Sequence, residues 1–202
     1  MNDFERILCE QFGEDDFREI QKTKIGIAGL GGLGSNAAMN LVRSGFRNFK
    51  LIDFDKIDRS NLNRQFYFED QVGMLKAKAL AINLKRINPD IYLELLAVKI
   101  KAENVKKIFA DCDIVVEAFD KAEDKSMLVS QILPLGKLVV CGSGLAGIGN
   151  SDLIAVHWIK KNLVIVGDLS SDINNSHPVS PKINIAAAKQ ADIILEYLVN
   201  NS

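Results

Sequence analysis

The chain has 202 residues, 48% of them hydrophobic, which is enough for one domain with a sizeable buried core. Its formal net charge of −1 supplies no overall field for nucleic acid or an anionic membrane, and no apolar run approaches the ~20 residues of a membrane span, so we expect neither partner. The three cysteines are widely spaced and form no Cys-x-x-Cys pair, so we expect a protein of the reducing cytoplasm without disulfides or zinc.

Residues 1–145 combine helical and strand-like hydrophobic patterns. Apolar side chains at helical spacing predict one or two short helices over residues 1–21. Short apolar runs then predict strands at residues 25–28, 49–53, 91–98, 114–117 and 138–141. The amphipathic runs between them predict helices at residues 33–44, 72–87, 102–109 and 121–133. This alternation indicates an α/β fold, a Rossmann-like doubly wound and mostly parallel sheet with helices on both faces.

The pattern changes after residue 145. Apolar runs at residues 153–156 and 163–166 predict two strands that form a C-terminal antiparallel extension of the sheet. A polar stretch at residues 168–181 predicts a loop before a final helix at residues 183–199. We therefore predict a single domain over residues 1–202, with N-terminal helices (1–21), a Rossmann-like core (22–145) and C-terminal strands and helix (146–202).

A glycine-rich turn follows the first predicted strand. Gly29, Gly31 and Gly34 form G-x-G-x-x-G at the passage from strand to helix, and Gly32 and Ser35 extend this motif. Glycines permit a tight turn and a close approach of phosphate to the backbone. The helix that begins there directs free N–H groups and a positive dipole end at an anion. The motif predicts a nucleotide phosphate site, and the alternative is a tight strand–helix crossing without a ligand.

Acidic residues follow two of the predicted strands. Asp53 ends the second strand about 20 residues after the glycine turn, where a carboxylate can accept both ribose hydroxyls. Asp55 is a second candidate for the ribose contact, and its alternative role is to stabilise the turn after the strand. Asp120 follows the strand predicted at 114–117, at the edge where open parallel sheets bind their ligands. A carboxylate beside phosphate oxygens can hold Mg²⁺, whereas the alternative role of Asp120 is a helix N-cap.

A polar segment with two cations follows the second predicted strand. It contains Asn61, Arg64 and Gln65, and then Lys76. A dinucleotide dehydrogenase stabilises its pyrophosphate mainly with glycine backbone and a helix dipole, and needs no such cluster. Arginine offers a planar fork and lysine a compact charge for phosphate oxygens, and both can follow charge that develops at a transferring phosphorus. The segment therefore favours a nucleoside triphosphate as the ligand. The alternative interpretation is that Arg64 and Lys76 are solvated charges on helix surfaces.

In this order, the motifs resemble those of the ThiF/MoeB/HesA adenylyltransferases, the prokaryotic relatives of ubiquitin-activating enzymes. The resemblance covers residues 24–198 and rests on G-x-G-G-L-G-S, D-F-D, S-N-L-N-R-Q, V-G-x-x-K and A-F-D. It implies that ATP and Mg²⁺ are used to adenylate the C-terminal carboxylate of a small ubiquitin-like sulfur carrier protein ending in Gly-Gly, with release of pyrophosphate. The short ThiF-like members of the thiamine pathway are the most similar, through residues 117–120 and 142–147.

The resemblance also implies a role for each site residue. Asp53 would bind ribose, and Asn61 and Arg64 would contact phosphates, with Gln65 of the same segment as a further nucleotide contact. Lys76 would stabilise the charge on the transferring phosphate. Asp120 would coordinate Mg²⁺, so that Arg64, Lys76 and Asp120 are the predicted catalytic residues. No general base is expected, because the acceptor carboxylate is already ionised at neutral pH.

Further expectations concern the subunits and the cysteines. The resemblance implies a homodimer, and in several relatives an N-terminal arginine of one copy completes the ATP site of the other. Arg6 and Arg18 are the candidates here, although neither lies in the family's usual local motif and the first interpretation of each is a surface charge. Many relatives also use a cysteine for covalent chemistry. We interpret Cys141 as a small core residue instead, and Cys9 and Cys112 as packing residues.

Two other functions stay open at this point. An NAD(P)-dependent oxidoreductase would use the glycine turn and Asp53, but it leaves Arg64 and Lys76 unexplained. A non-catalytic scaffold would bind nucleotide or carrier without chemistry, although the joint presence of all the site motifs argues against it.

Overall fold

The computed structural model describes residues 1–171 and 176–199. Within them, seven strands form one sheet: β1 (Lys24–Ala28), β2 (Asn48–Ile52), β3 (Tyr92–Leu96), β4 (Ile114–Glu117), β5 (Leu138–Gly142), β6 (Ala155–Lys160) and β7 (Leu163–Gly167). Their spatial order is β3-β2-β1-β4-β5-β7-β6. All neighbours are parallel except β6 and β7, which confirms the predicted sheet with its antiparallel extension.

Helices cover both faces of the sheet. They are α1 (Asp3–Phe12), α2 (Glu14–Lys22), α3 (Gly32–Arg43), α4 (Lys76–Lys85), α5 (Val105–Ile108), α6 (Ala122–Ile132) and α7 (Ser180–Val199). Because successive strand residues point to opposite faces, Ile114 and Val116 join one core with α2, α3, α4 and α7, and Val115 joins a second core with α5 and α6. Strands buried on both faces have continuous apolar sequences, as residues 114–116 of β4 and 138–141 of β5 do.

The order of the strands creates a crevice at the carboxyl edge of the sheet. β1 lies between β2 and β4, so the chain winds to one side after β1 and crosses to the other side before β4. At such a switch point the connecting loops diverge and leave room for a ligand. The loops after β1, β2 and β4 carry the glycine turn, Asp53 and Asp120, and these three features therefore share one edge.

Two predicted helices are shorter in the structure. The helix predicted at 72–87 is α4, which begins at Lys76 because Gly73 has a φ of 88° and Leu75 is extended. The helix predicted at 102–109 is reduced to the single turn of α5. In both cases the helical spacing of apolar residues continues through a preceding turn.

The C-terminal elements also differ in their bounds. The strand predicted at 153–156 begins at Ala155, because Ser151–Leu153 form a 3₁₀ turn. The final helix begins at Ser180, so it takes over the end of the loop predicted at 168–181, and residues 172–175 of that loop lie outside the described residues. None of the helices in the described ranges combines the length and the apolarity that a bilayer crossing requires.

Candidate functional site

Glycines of two kinds build the turn between β1 and α3. Gly29 has a φ of 89°, in the left-handed region that favours glycine. At Gly34, a Cβ atom would lie 2.0 Å from the carbonyl oxygen of Gly29, so glycine allows α3 to pack directly on the turn. Gly31 and Gly32 leave more room, and a Cβ atom at Gly31 would meet only Gln65 Nε2, at 3.8 Å. The turn is therefore closed on its inner side and open towards the crevice.

Two adjacent cavities open at this edge, within the part of the chain that the structure describes. Cavity 1 lies beside the carboxyl ends of β1, β2 and β4, and its lining includes Gly31, Asp53, Phe54, Asp55, Lys76 and Ile100. Cavity 2 lies beside the starts of α3, α6 and α7, and its lining includes Gly32, Arg64, Lys125, Ser143, Pro178 and Ile183. Ala118, Phe119 and Asp120 line both cavities and form their common wall.

Asp53 is a buried carboxylate that joins the glycine turn to the end of β2. Its Oδ2 atom accepts the N–H of Leu30, and its Oδ1 atom accepts the N–H of Asp55, each at 2.8 Å. Burial raises the pKa of Asp53, and the nearby charge of Lys76 opposes that rise. Asp53 thus fixes the loop geometry while it borders cavity 1.

Lys76, the first residue of α4, is buried against cavity 1. Its Nζ atom lies 3.0 Å from Asp55 Oδ2 and 3.9 Å from Asp53 Oδ2. Lys78 and Lys85 of the same helix are exposed. Lys76 therefore differs from a solvated helix-face lysine, and two carboxylates hold its charge inside the cavity.

Arg64 borders cavity 2 on the other side of the common wall. Its Nη1 atom donates to Ser60 O at 3.2 Å and to Asn63 Oδ1 at 2.8 Å, and both acceptors are neutral. Asn36 of α3 donates from Nδ2 to Gly32 O and to Arg64 O, and so holds this segment against the glycine turn. The guanidinium charge is thus positioned without neutralisation by these contacts.

Ser35, Asn61 and Gln65 lie behind the cavity walls rather than on them. Ser35 is fully buried, and its hydroxyl donates to Gly31 O. Asn61 accepts the N–H of Asp58 at Oδ1 and closes a 3₁₀ turn. Gln65 is buried, and its Oε1 atom has no hydrogen-bond partner among the described residues. In this structure Ser35 and Asn61 shape the loops, and Gln65 keeps an open acceptor near the glycine turn.

Asp120 is an exposed carboxylate of the common wall. α6 begins at Ala122 with Lys121 as its N-cap, so Asp120 does not have the alternative role of a cap. Among the described residues, no three His, Cys, Asp or Glu side chains are grouped as a metal site would require. Mg²⁺ that is bound with a nucleotide needs only one or two carboxylates, because phosphate oxygens and water supply the other ligands. Asp120 fits that kind of site.

An ion pair that the sequence reasoning missed adjoins the common wall, and it joins the buried Glu117 to the partly exposed Lys125. Glu117, the last residue of β4, is fully buried, and its Oε1 atom accepts the N–H of Phe119 at 2.6 Å. Lys125 Nζ lies 3.1 Å from Glu117 Oε2 and 2.9 Å from Gly142 O at the end of β5. Burial raises the pKa of Glu117, and the charge of Lys125 opposes that rise. The available signal was an acid that closes an otherwise apolar strand, with a lysine in the following helix.

Comparison with protein families identifies the lineage. Residues 4–190 match the model of the ThiF family. The chain belongs to the ThiF family. The molybdopterin-synthase adenylyltransferase of Haemophilus influenzae is 30% identical over 166 residues, which are 82% of this chain and 67% of that protein. The adenylyltransferase and sulfurtransferase UBA4 of Candida glabrata is 35% identical over 136 residues, 67% of this chain, and the chain spans only 31% of its length.

A solved structure shows the same ThiF-type fold. Escherichia coli TcdA, a tRNA N6-threonylcarbamoyladenosine dehydratase solved in complex with ATP, matches with a TM-score of 0.83 and 20% sequence identity. The match covers 97% of this chain and 92% of TcdA. This similarity concerns the fold.

None of the cysteines of this ThiF-family chain lines cavity 1 or cavity 2. Cys112 and Cys141 are buried in the core beneath α5 and α6. Burial raises the pKa of both thiols, that of Cys112 to about 11. Cys9 is partly buried in α1. The structure thus gives Cys112 and Cys141 packing positions.

Arg6 and Arg18 of this ThiF-family chain lie on α1 and α2, and both are exposed. Each forms an ion pair with an aspartate of its own helix, at 3.1 Å for Arg6 and 3.4 Å for Arg18. Neither lines cavity 1 or cavity 2 of its own chain.

Proposed function

We propose that the chain is an adenylyltransferase that uses ATP and Mg²⁺ to activate a small ubiquitin-like sulfur carrier protein of the thiamine type. AMP is transferred to the carrier's C-terminal Gly-Gly carboxylate, and pyrophosphate leaves. The observation that carries this proposal is the common wall, where Asp120 stands between one cavity containing Asp53 and Lys76 and a second containing Arg64. A transfer between two substrates needs two such adjacent spaces.

Cavity 1 is the proposed nucleoside site. The Asp53 carboxylate at its edge suits the ribose hydroxyls, as in other nucleotide sites at the end of a second strand. Phe54, Val98 and Ile100 supply an apolar surface for the base. The glycine turn and the N-terminus of α3 then face the phosphates, where backbone N–H groups and the helix dipole favour negative charge.

The cations manage the charge of the reaction. Attack of one anion on another requires neutralisation and in-line positioning, and Lys76 and Arg64 approach the phosphates from the two sides of the common wall. Asp120 would hold Mg²⁺, which neutralises phosphate oxygens when it is bound. No proton has to be removed from the acceptor, because a carboxylate is ionised at neutral pH. Positioning and electrostatics are therefore the whole of the protein's task.

Cavity 2 is the proposed acceptor site. It combines the charged Arg64 and Lys125 with apolar Leu33, Pro178 and Ile183, a lining suited to a narrow peptide end that carries a carboxylate. The names of two relatives support an acceptor of this class, since one adenylylates molybdopterin synthase and the other combines adenylyl transfer with sulfur transfer.

A second candidate acceptor is a modified tRNA nucleoside. TcdA, named as a tRNA N6-threonylcarbamoyladenosine dehydratase, resembles this chain over 92% of its own length, whereas the chain spans 31% of UBA4. The two candidates share the ATP site and differ in what enters cavity 2.

ATP–pyrophosphate exchange tests the proposed function. We expect exchange when a Gly-Gly-ending carrier protein is added and none with tRNA that contains N6-threonylcarbamoyladenosine. Arg64→Ala and Asp120→Asn should lower the exchange roughly 10²-fold or more, as expected for groups that stabilise transition-state charge. Full exchange in both variants would contradict the site, and exchange with tRNA alone would favour the second candidate. Stabilisation by NADH rather than by MgATP in a thermal shift assay would indicate the oxidoreductase instead.

A further inference from the structure

The common wall between the cavities is supported by the ion pair of the buried Glu117 with the partly exposed Lys125. Asp120 forms no hydrogen bond or ion pair with the described residues, so its carboxylate depends on the backbone of residues 118–120 for its position. Glu117 fixes that backbone, because its Oε1 atom accepts the N–H of Phe119 at 2.6 Å. Lys125 bonds to both oxygen atoms of Glu117 and to Gly142 O, and so joins β4, α6 and β5.

Stability alone does not account for this ion pair. Moving two charges out of water is costly, and apolar pairs of similar volume often leave stability unchanged or raise it. Val115, Val139 and Cys141 form an apolar core on this side of the sheet, so an apolar side chain at position 117 would suit these surroundings. What an apolar side chain at position 117 would lack is an acceptor for the N–H of Phe119.

We propose that Glu117 is a positioning residue that sets the Asp120 carboxylate between the two cavities, with Lys125 holding Glu117 in place. Glu117 acts through the Phe119 bond and touches neither nucleotide nor acceptor. The inference rests on the proposed function in one respect, the assignment of Asp120 to nucleotide-bound Mg²⁺.

Two double variants isolate the Phe119 bond. Glu117→Met/Lys125→Met removes both charges and also the acceptor for the Phe119 N–H. Glu117→Gln/Lys125→Met removes both charges but keeps a side-chain oxygen at the same position. Both variants are expected to fold with a Tm close to that of the wild type, because no unpaired charge is left buried.

Thermal stabilisation by ATP, measured with Mg²⁺ and again with EDTA, is the first readout. In the wild type, Mg²⁺ should increase the Tm shift that ATP causes. The glutamine variant should keep this increase, and the methionine variant should lose most of it while it keeps the shift by ATP alone. In exchange assays, kcat of the methionine variant should be about tenfold or more below that of the glutamine variant, which also lacks Lys125, with a smaller difference in the KM for ATP.

A matched control removes a buried lysine at the opposite edge of the sheet. Lys50 is buried in β2, donates to Ile108 O and Asp111, and lines neither cavity. Lys50→Met should leave the Mg²⁺-dependent increase unchanged. An unchanged increase in the methionine double variant would overturn the proposal. An equal loss in both double variants would overturn the role of the Phe119 bond.

Hydrogen exchange provides a test that needs no variant. In the wild type, the Phe119 amide should be strongly protected, and exchange at the rate of an unprotected amide would overturn the proposal. Failure of the proposed function would give a different result. The wild type would then show no ATP–pyrophosphate exchange with any carrier protein added, while the protection of the Phe119 amide would be unaffected.

Discussion

Gly29, Gly31 and Gly34 belong to one motif, but they meet different physical requirements. Gly29 adopts a positive φ, and Gly34 lets α3 approach the carbonyl oxygen of Gly29. Gly31 lines cavity 1 and has open space where a side chain would stand. Two of the three glycines are therefore required by the fold, and the third leaves space in the cavity.

These positions can be separated by substitution. We expect Gly34→Ala to lower the free energy of unfolding by about 3 kcal/mol, because the added methyl group would overlap Gly29 O. Gly31→Ala should leave stability within about 0.5 kcal/mol, because its methyl group would meet only Gln65 Nε2, at 3.8 Å, and it should weaken ATP binding, because it adds volume at a residue that lines cavity 1. Urea denaturation measures the first effect and titration calorimetry with ATP the second. Equal losses of stability in both variants would contradict this distinction.

The reactivity of each cysteine thiol follows from how deeply the residue is buried. A pKa of about 11 leaves roughly one Cys112 thiol in a thousand ionised at pH 8, and Cys141 is buried as well. We expect iodoacetamide to modify Cys9 first in the native protein, with Cys112 and Cys141 protected until the chain is denatured. Mass spectrometry of peptides measures the order. Rapid modification of Cys141 in the native state would reopen a covalent role for it.

At the scale of the elements, a charge network holds the amino edge of the sheet, opposite the cavities. Asp111, just before β4, accepts from Lys24 of β1 and from Lys50 of β2. Glu94 of β3 lies 3.3 Å from the same Lys50 ammonium. The network therefore links β1, β2 and β3 to the residue segment before β4, away from the proposed chemistry.

This network predicts a pH dependence of stability. Hydrogen bonds from Lys24 and Lys50 hold the pKa of Asp111 well below its ordinary value of about 3.9. A carboxyl group with a lower pKa in the folded state stabilises the fold above its unfolded pKa, and the contribution is lost as the pH falls further. Asp111→Asn should therefore lower Tm at pH 7, with a difference that narrows below about pH 4.

Thermal unfolding between pH 7 and pH 2 measures this difference. Asp70→Asn, at an exposed aspartate, is the matched control and should change Tm little at any pH. If Asp111→Asn lowered Tm by the same amount at every pH in this range, the ionised Asp111 carboxylate would not be the source of the pH dependence.

The elements also show which features a sequence can predict. β4 has the same bounds in prediction and structure, because a buried parallel strand is a continuous apolar run. The start of α4 was misplaced, because apolar spacing continues past Gly73 into the preceding turn. Arg64 and Lys76 were recognisable as candidates by residue type and spacing. Their separation into two cavities depends on packing between distant segments. The Glu117–Lys125 pair depends on how α6 packs against the end of β4.

At the scale of the whole molecule, the last helix completes a site that begins near the first strand. α7 packs along α3, and Ile183 is the nearest side chain to the position of a Cβ atom at Gly32. Lys182 donates to Ala146 O in the loop after β5 and lies 3.9 Å from Asp168 Oδ2 after β7. The lining of cavity 2 therefore combines the start of α3, early in the chain, with the start of the last helix.

The homodimer expected from the family resemblance can be tested by complementation. A chain with Arg6→Ala and Arg18→Ala keeps its own Asp120, whereas an Asp120→Asn chain keeps its arginines. If an arginine of one copy completes the ATP site of the other, an equal mixture should regain about a quarter of the wild-type exchange, because half of the dimers are mixed and each has one intact site. Light scattering establishes the dimer. Dimers without recovery, or a monomer, would contradict the expectation.

The edge strand β6 carries Trp158, the chain's single tryptophan. Its side chain is 49% exposed and lines neither cavity 1 nor cavity 2. The indole is therefore a built-in fluorescent reporter of that edge. Its emission should stay constant as nucleotide fills the crevice and shift to shorter wavelength when a protein covers β6. A single spectrum can thus distinguish loading of the nucleotide site from contact of a macromolecule with this margin of the sheet.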